Sequence, residues 1–293
     1  MAPEFLFSQF LSGLTTAIFL FLVSSGLSLV FGVLRVLNFA HGTFYMLGAY
    51  LAWQGVAWLA PSTEAFLPAA LFAATGIAVL GLVVERLMFR HLYGKEELYQ
   101  LLFTYALVLI LGDVAKILWG TGQLSVSRPP LLEGGISVFG TLLPTYNLFV
   151  MIIGSAIAVG FWIILQRTSV GRMIRAAAMD REMLGALGAN VGVLYTGVFV
   201  VSSFLAGLSG ALVSPIKAIV PGMDVEIIVE AFIVVVIGGL GSFWGTFLGA
   251  LIYGQVLSFG ILIFPRFSIF SVFALMAVIL VVRPWGLLGR PLK

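Results

Sequence analysis

The sequence predicts an all-α fold: a polytopic transmembrane helical bundle of about eight to ten spans, some interrupted or re-entrant. Three observations carry this. The first is composition. Of the 293 residues, 61% are hydrophobic and only 9% charged, where soluble domains carry roughly 25% charged residues. The mean hydropathy is +1.16. The second is arrangement: the apolar residues fall in runs of about twenty, the length that crosses a ~30 Å hydrocarbon core at ~1.5 Å per residue. The third is where the charge collects. The longest polar interruption, residues 166–191, carries Arg167, Arg172, Arg175 and Arg181 against Asp180 and Glu182. A positive excess between two spans belongs in the cytoplasm.

The same numbers exclude other classes. The net charge of +3 follows from loop arginines, and no basic patch interleaved with aromatics lies outside the spans, so nucleic acid is not a partner. The absence of cysteine rules out disulfides and thiolate metal sites. There is no P-loop, no His/Cys metal cluster and no nucleophile–base set, so no catalytic or metal-binding residues are assigned. The first thirty residues lack a basic stretch and a small-residue cleavage site, and are expected to be a retained span.

In chain order, residues 5–34 are the first span, ending at Gly32 and Arg35. Residues 38–60 form a second apolar stretch that opens on polar and small residues. Pro61 to Glu64 is a turn, and 65–85 a third span. Glu85, Arg86, Arg90, His91, Lys95, Glu96 and Glu97 then make a charged loop. Residues 98–119 are the fourth span, with Asp113 and Lys116 paired three residues apart near its outer end. Residues 120–145, rich in Gly, Pro, Ser and Thr, read as an external loop with a short hairpin or re-entrant piece. Residues 146–166 and 192–213 are the fifth and sixth spans. Pro215, Lys217, Pro221, Asp224 and Glu226 mark a second external loop. Residues 227–237 are too short to cross alone. They lead through Gly238–Gly245 to an apolar run ending at Phe264. After a Pro265–Arg266 turn, residues 267–282 are the last span, with Arg283, Arg290 and Lys293 in the tail.

Basic residues set the orientation. Arg35, the 86–95 loop, the 167–181 stretch and the tail hold 11 of the 15 Lys and Arg. Even numbers of crossings separate these last three sites if 227–240 counts as one, so all share the cytoplasm and the N-terminus lies outside.

Two places break the helical pattern inside apolar sequence. One is Asn38, Phe39, Ala40, His41 and Gly42. The other is Gly238, Gly239, Leu240, Gly241 and Ser242. Each is followed by an aromatic and a glycine-spaced helix. Interrupted helices in two halves of a transporter meet near the midplane, and unwound backbone survives there only if buried or lining a cavity. Asn38, Phe39, His41 and Gly42 with Gly238, Gly239, Gly241 and Ser242 are therefore the candidate substrate path. Tight helix packing is the plainer role for these glycines. His41, without an acidic neighbour in sequence, reads as a hydrogen-bonded packing residue before a proton relay. Glu230 sits a turn into an apolar segment, where a charge is a functional candidate, but its nearness to Asp224 and Glu226 points to the interface. No carboxylate chain runs through the spans, which argues against an ion-coupled carrier.

The cytoplasmic stretch 167–190 has its own structure. Gly171 breaks it from the preceding span. Asp180 is an N-cap for a short helix, with Met183, Leu184 and Leu187 on one face at helical spacing. Gly188 and Asn190 suit its end. An apolar face on a cytoplasmic helix, flanked by Arg175, Arg181 and Glu182, is a docking element; a surface-lying linker is the alternative.

Three stretches, FGVLRVLNFAHGTFYMLGAYLAW, GRMIRAAAMDREMLGALGANV and VVVIGGLGSFWGTFLGALIYG, together resemble the permease subunits of branched-chain amino acid ABC importers. The length is similar to the LivH-type half, not the longer LivM-type half. The resemblance covers nearly the whole chain. It implies one permease domain over 1–293, with 167–190 as the segment that couples to an ATPase. It implies a second, LivM-type permease, two cytoplasmic ATPase subunits that bind ATP and magnesium, and a periplasmic substrate-binding protein facing loops 120–145 and 214–226. This chain then needs no cofactor and sits in the lipid of a bacterial inner membrane. The cargo would be a branched-chain or other small amino acid; the same permease type serves urea, short amides and aromatic acids. A stand-alone carrier or channel is the rival class, and it has no use for a docking segment.

Overall fold

The computed structural model of the protein describes residues 3–59, 65–138, 140–263 and 265–289. The expected turn at 61–64 and the tail residues Arg290 and Lys293 lie outside these. The helices are α1 (Pro3–Leu34), α2 (Ala40–Leu59), α3 (Phe66–Leu87), α4 (Glu97–Trp119), α5 (Thr145–Arg167), α6 (Ser169–Met179), α7 (Arg181–Ala186), α8 (Val191–Val213), α9 (Met223–Gly238), α10 (Phe243–Ile263) and α11 (Ser268–Val282). Seven segments are long and apolar enough to span: α1, α3, α4, α5, α8, α10 and α11 with its preceding turn. With α2 and the shorter α9, nine helices build the bundle among the described residues, beside α6 and α7. The chain is multi-pass, and α6 and α7 share the end of the bundle that holds Arg35, the end that its positive excess assigns to the cytoplasm.

The bundle is built around α1. In its most apolar window 83% of residues are buried, against 17% for α4 and 11% for α11, so α4 and α11 are peripheral. Helices meet at the centre because small residues let backbones touch. Gly48 of α2 lies on the Gly207 backbone of α8, Gly210 lies on the Tyr45 carbonyl, and Gly254 of α10 lies on Gly13 and Ala17 of α1. Aromatic rings fill the remaining space edge to face. Phe21 meets Phe243 and Phe247 with centroids 5.5 and 5.3 Å away.

The outer face is tied by polar backbone. An antiparallel hairpin, β1 (Gly135–Val138) and β2 (Thr141–Pro144), forms in the glycine- and proline-rich loop. Leu124 and Ile219 exchange hydrogen bonds of 3.0 and 2.8 Å, joining the two external segments. Asp113 and Lys116 form the expected exposed pair at 2.9 Å.

Some boundaries moved. Helix α3 runs two residues further than expected and takes in Glu85 and Arg86, and α9 starts at Met223, taking in Asp224 and Glu226. Even so, 16 residues rise only about 24 Å, short of the core thickness.

A side chain at Gly210 has no space, because its β-carbon would overlap the Tyr45 carbonyl. Gly210→Val should therefore lower stability by at least about 2 kcal/mol, read as the melting temperature of the detergent-purified protein. Gly160→Ala, facing open space, should leave it unchanged.

Candidate functional site

The cytoplasmic segment begins with a tight reversal out of α5. Thr168 caps α6, its hydroxyl accepting from Gly171 N at 3.1 Å and donating to the Ile164 carbonyl at 2.6 Å. Gly171 lies against the Ile164 and Leu165 carbonyls, where any β-carbon would clash. The Arg175 guanidinium donates to the Leu165 carbonyl, which binds α6 back onto the span. Asp180 then caps α7, its carboxylate accepting from Glu182 N and Met183 N at 3.0 and 2.9 Å. Gly188 closes α7 with a left-handed φ of 87°, as expected from the sequence. Asn190 instead starts the next helix: its side chain accepts from Val193 N at 3.1 Å.

The three apolar residues assigned to one face of α7 divide. Met183 and Leu187 are 59% and 78% exposed, while Leu184 is 7% exposed and belongs to the core. Adjacent positions on a helix point about 100° apart, so Leu184 turns inward when Met183 points out. Met179, at the end of α6, is 75% exposed and completes an exposed apolar knob that the sequence pattern missed. Behind it lies a cavity of about 250 Å³ between the end of α1 and the α6–α7 corner. Arg35, in a left-handed conformation with φ 55°, lines it with Asp180, Arg181 and Glu182.

Glu85 has a different place from the loop first expected. It is fully buried, and both carboxylate oxygens are used. Tyr93 donates to one at 3.1 Å and Thr196 of α8 to the other at 2.7 Å. Burial and the Glu85 carboxylate raise the Tyr93 phenol above its ordinary value, so it stays a donor. The Tyr93 ring packs edge-on against Tyr195 at 5.2 Å. A carboxylate at the end of a span, with hydroxyl residues elsewhere, left no signal in sequence spacing.

The first break lies at depth. After α1 ends at Leu34, residues 35–39 run back along it, because His41 Nε2 donates to the Val23 carbonyl at 2.8 Å. Val23 is eleven residues, or about 16 Å, before the end of α1. The carbonyl fixes the proton on Nε2, and Nδ1 faces the Ser202 hydroxyl at 3.4 Å. The single proton of the Ser202 hydroxyl goes to the Gly26 carbonyl at 2.9 Å, and among the described residues no acid touches the ring. The exposed backbone is dealt with by burial: Val36 and Asn38 are 1% and 2% exposed, and Thr104 donates to the Leu37 carbonyl at 3.4 Å. Asn38 Oδ1 remains without a partner.

The second break does not join the first. Gly238, Gly239, Gly241 and Ser242 form the turn between α9 and α10 at the cytoplasmic end of the bundle. There Gly241 touches Gly32 of α1, and Gly239 lies against Trp285 and Gly289. The segment after α11 caps this turn: Leu287 N and Leu288 N donate to the Ile237 and Gly238 carbonyls, each at 2.9 Å. These glycines serve close approach and a reversal of direction, with φ of 109° at Gly239 and 77° at Gly241. What meets the first break is the start of α9. Thr43 donates to buried Asp224 at 3.0 Å, Gly42 lies on the Asp224 carbonyl, and Phe39 packs on Phe232 at 5.2 Å. So α2 is fed from the cytoplasmic side by 35–39 and α9 from the outer side by 214–222. They cross where the sequence placed only one interruption.

A second cavity, about 150 Å³, opens in the outer half of the bundle between α1, α2, α5 and α9. Glu230 and Lys217 line it with Tyr45 and Asn147. None of the eight residues assigned to the substrate path from sequence lines it.

Comparison with known proteins agrees with this architecture. The family described as branched-chain amino acid transport system, permease component, matches residues 9–282. The permease protein BraD of a high-affinity branched-chain amino acid transport system in Pseudomonas aeruginosa is 28% identical, over 97% of this chain and 95% of its own. The corresponding LivH protein of Escherichia coli is 28% identical over 99% and 98%. PsaBC from Streptococcus pneumoniae, solved in complex with Fab, shares the fold at a TM-score of 0.50 and 13% identity, covering 92% of this chain and 89% of that one.

Glu85→Ala should cost about 2–3 kcal/mol, because it strands the Tyr93 hydroxyl in a buried site and takes the shorter bond from Thr196. Arg86→Ala, on the exposed side of the same turn, should cost less than about 0.5 kcal/mol. Urea titration of the purified protein in detergent distinguishes the two.

Proposed function

The chain belongs to the family of permease components of branched-chain amino acid transport systems, and from that membership we propose that it is one membrane subunit of an ATP-driven importer of branched-chain amino acids. The chain itself carries out no bond chemistry. It supplies a passage that opens alternately to the two sides, and ATP hydrolysis with magnesium falls to two cytoplasmic ATPase subunits. A second, LivM-type permease completes the passage. A periplasmic binding protein delivers the amino acid to the outer face built from 120–145 and 214–222.

The observation that carries this reading is the knob of Met179, Met183 and Leu187. These side chains are exposed at the α6–α7 corner, where Arg175 binds α6 to α5 and Asp180 caps α7. Exposed apolar residues held on a rigid element mark a protein interface. A stand-alone carrier needs no such surface. The arginines and acids around it, Arg175, Arg181 and Glu182, set the register of the partner. On this reading the passage follows the crossing of α2 and α9, with Asn38, Phe39, His41 and Gly42 beside it. The Gly238–Ser242 turn holds the cytoplasmic end.

Met183→Asp combined with Leu187→Asp should abolish uptake of leucine and release the ATPases, while the permease still inserts and keeps its melting temperature. Leu184→Asp should instead lower the melting temperature, since it buries a charge. Complexes that keep their ATPases and their turnover with both exposed residues changed would remove the docking assignment.

A further inference from the structure

Glu230 is half-buried on α9 and points into the outer cavity, where Lys217 reaches it from the outer connector. The two are within electrostatic reach. Yet they do not form an ion pair: among the described residues the one ion pair is Asp113–Lys116. The Tyr253 phenol of α10 lies beside Glu230. Asn147, in the first turn of α5, lines the same space with a buried Oδ1 that has no partner. The other walls are apolar, with Phe19, Leu20 and Ile227 among them. The volume of about 150 Å³ holds roughly ten waters or one small organic molecule.

We propose that this cavity is a docking subsite for a zwitterionic aliphatic amino acid, with Glu230 receiving the ammonium group, Lys217 the carboxylate, and the apolar wall the side chain. This rests on the importer reading above and names where its cargo first meets this chain. The physical argument is one of unmet charge. Opposite charges kept apart across a cavity, between walls of low dielectric, attract a molecule that bears both. A free cation or anion would satisfy only one of them. Asn147 Oδ1 accepts a further hydrogen bond from the ammonium. Amides, which lack the carboxylate, would gain nothing from Lys217, and carboxylic acids without an amine would be repelled by Glu230.

The test uses the whole importer, purified without its binding protein and measured for binding of radiolabelled L-leucine, and the same complexes with binding protein in proteoliposomes for uptake. Glu230→Gln should weaken leucine binding and slow uptake about tenfold, and Lys217→Gln about fivefold, as expected for loss of a charged hydrogen bond. Glu226→Gln, one turn before Glu230 and outside the cavity, should stay within about twofold, the scale of a surface charge. L-leucinamide should compete for the site in wild type and in Lys217→Gln equally well, but not in Glu230→Gln. Glu230→Asp should restore part of the binding, which a merely structural role would not predict. Lys217 lies on an exposed connector, so its variant folds and carries the test if Glu230→Gln fails to assemble. Wild-type uptake of leucine together with unchanged leucine binding and uptake in Lys217→Gln would overturn the subsite and leave the importer reading standing. A wild-type complex that takes up no branched-chain amino acid would overturn both.

Discussion

Backbone polar groups at membrane depth must find partners within the protein, and the centre of this structure is the solution to that constraint. Residues 35–39 lie outside the helices, where a helix would satisfy itself. Each unmet group there would cost several kcal/mol. Thr104 donates to the Leu37 carbonyl. His41 donates to Val23, whose carbonyl already serves its own helix. Ser202 donates to the Gly26 carbonyl at 2.9 Å and Ser209 to the Phe19 carbonyl at 3.2 Å. The polar residues of α2 and α8 thus act as lateral ties to α1, the helix on which the rest is assembled.

The glycines follow from the same constraint. Hydroxyls and a histidine reach a neighbouring helix carbonyl only if the axes are close. Gly26 leaves room for His41 and the Ser202 backbone, and Gly81 leaves room for Ser203. Without a hydrophobic drive between helices in lipid, van der Waals contact at these glycines is what holds the layers together. Helices α5 and α11 lie nearer the periphery, with 28% and 11% of their apolar windows buried.

The fold was legible in the sequence where one residue's chemistry decides the local outcome. Asp180 is followed by a helix because a carboxylate there can accept two free amides. The turn-rich stretch 120–145 holds a hairpin, and Arg35 and the other basic clusters share one side. The site was legible only in part, because orientation within a helix depends on tertiary packing. Met183, Leu184 and Leu187 have the same apolar character, and only the proximity of α8 determines that Leu184 turns inward. The glycine run at 238–242 carries the same signature as a break at depth, yet it lies where two helices reverse beside Gly32. The real counterpart of the first break, the connector before α9, is marked in sequence only by polar residues that read as an ordinary loop. Glu85 escaped for a related reason. Its partners Tyr93 and Thr196 lie 8 and 111 residues away, and nothing in a hydropathy pattern joins them.

The path from the cytoplasmic knob to the interior runs through those same contacts. Helix α7 is followed after four residues by α8, and Asn190 caps the latter directly. Thr196, less than two turns in, is fixed to Glu85 of α3. Ser202 and Ser209, further along, are fixed to α1, and Tyr146 of α5 donates to the Leu212 carbonyl at 2.7 Å. A displacement of α7 therefore cannot be absorbed within α8. The helix is tied to its neighbours at each of these points, and its close contacts at Gly207 and Gly210 leave no space to compress. Close-packed elements of this kind move as bodies or not at all. Helix α9 differs: it is short, begins at depth after a connector, and meets α2 through Thr43 and Asp224. Relative motion between the α1–α2–α8 body and the α9–α10 hairpin would concentrate at that crossing, beside the outer cavity that Glu230 and Lys217 line.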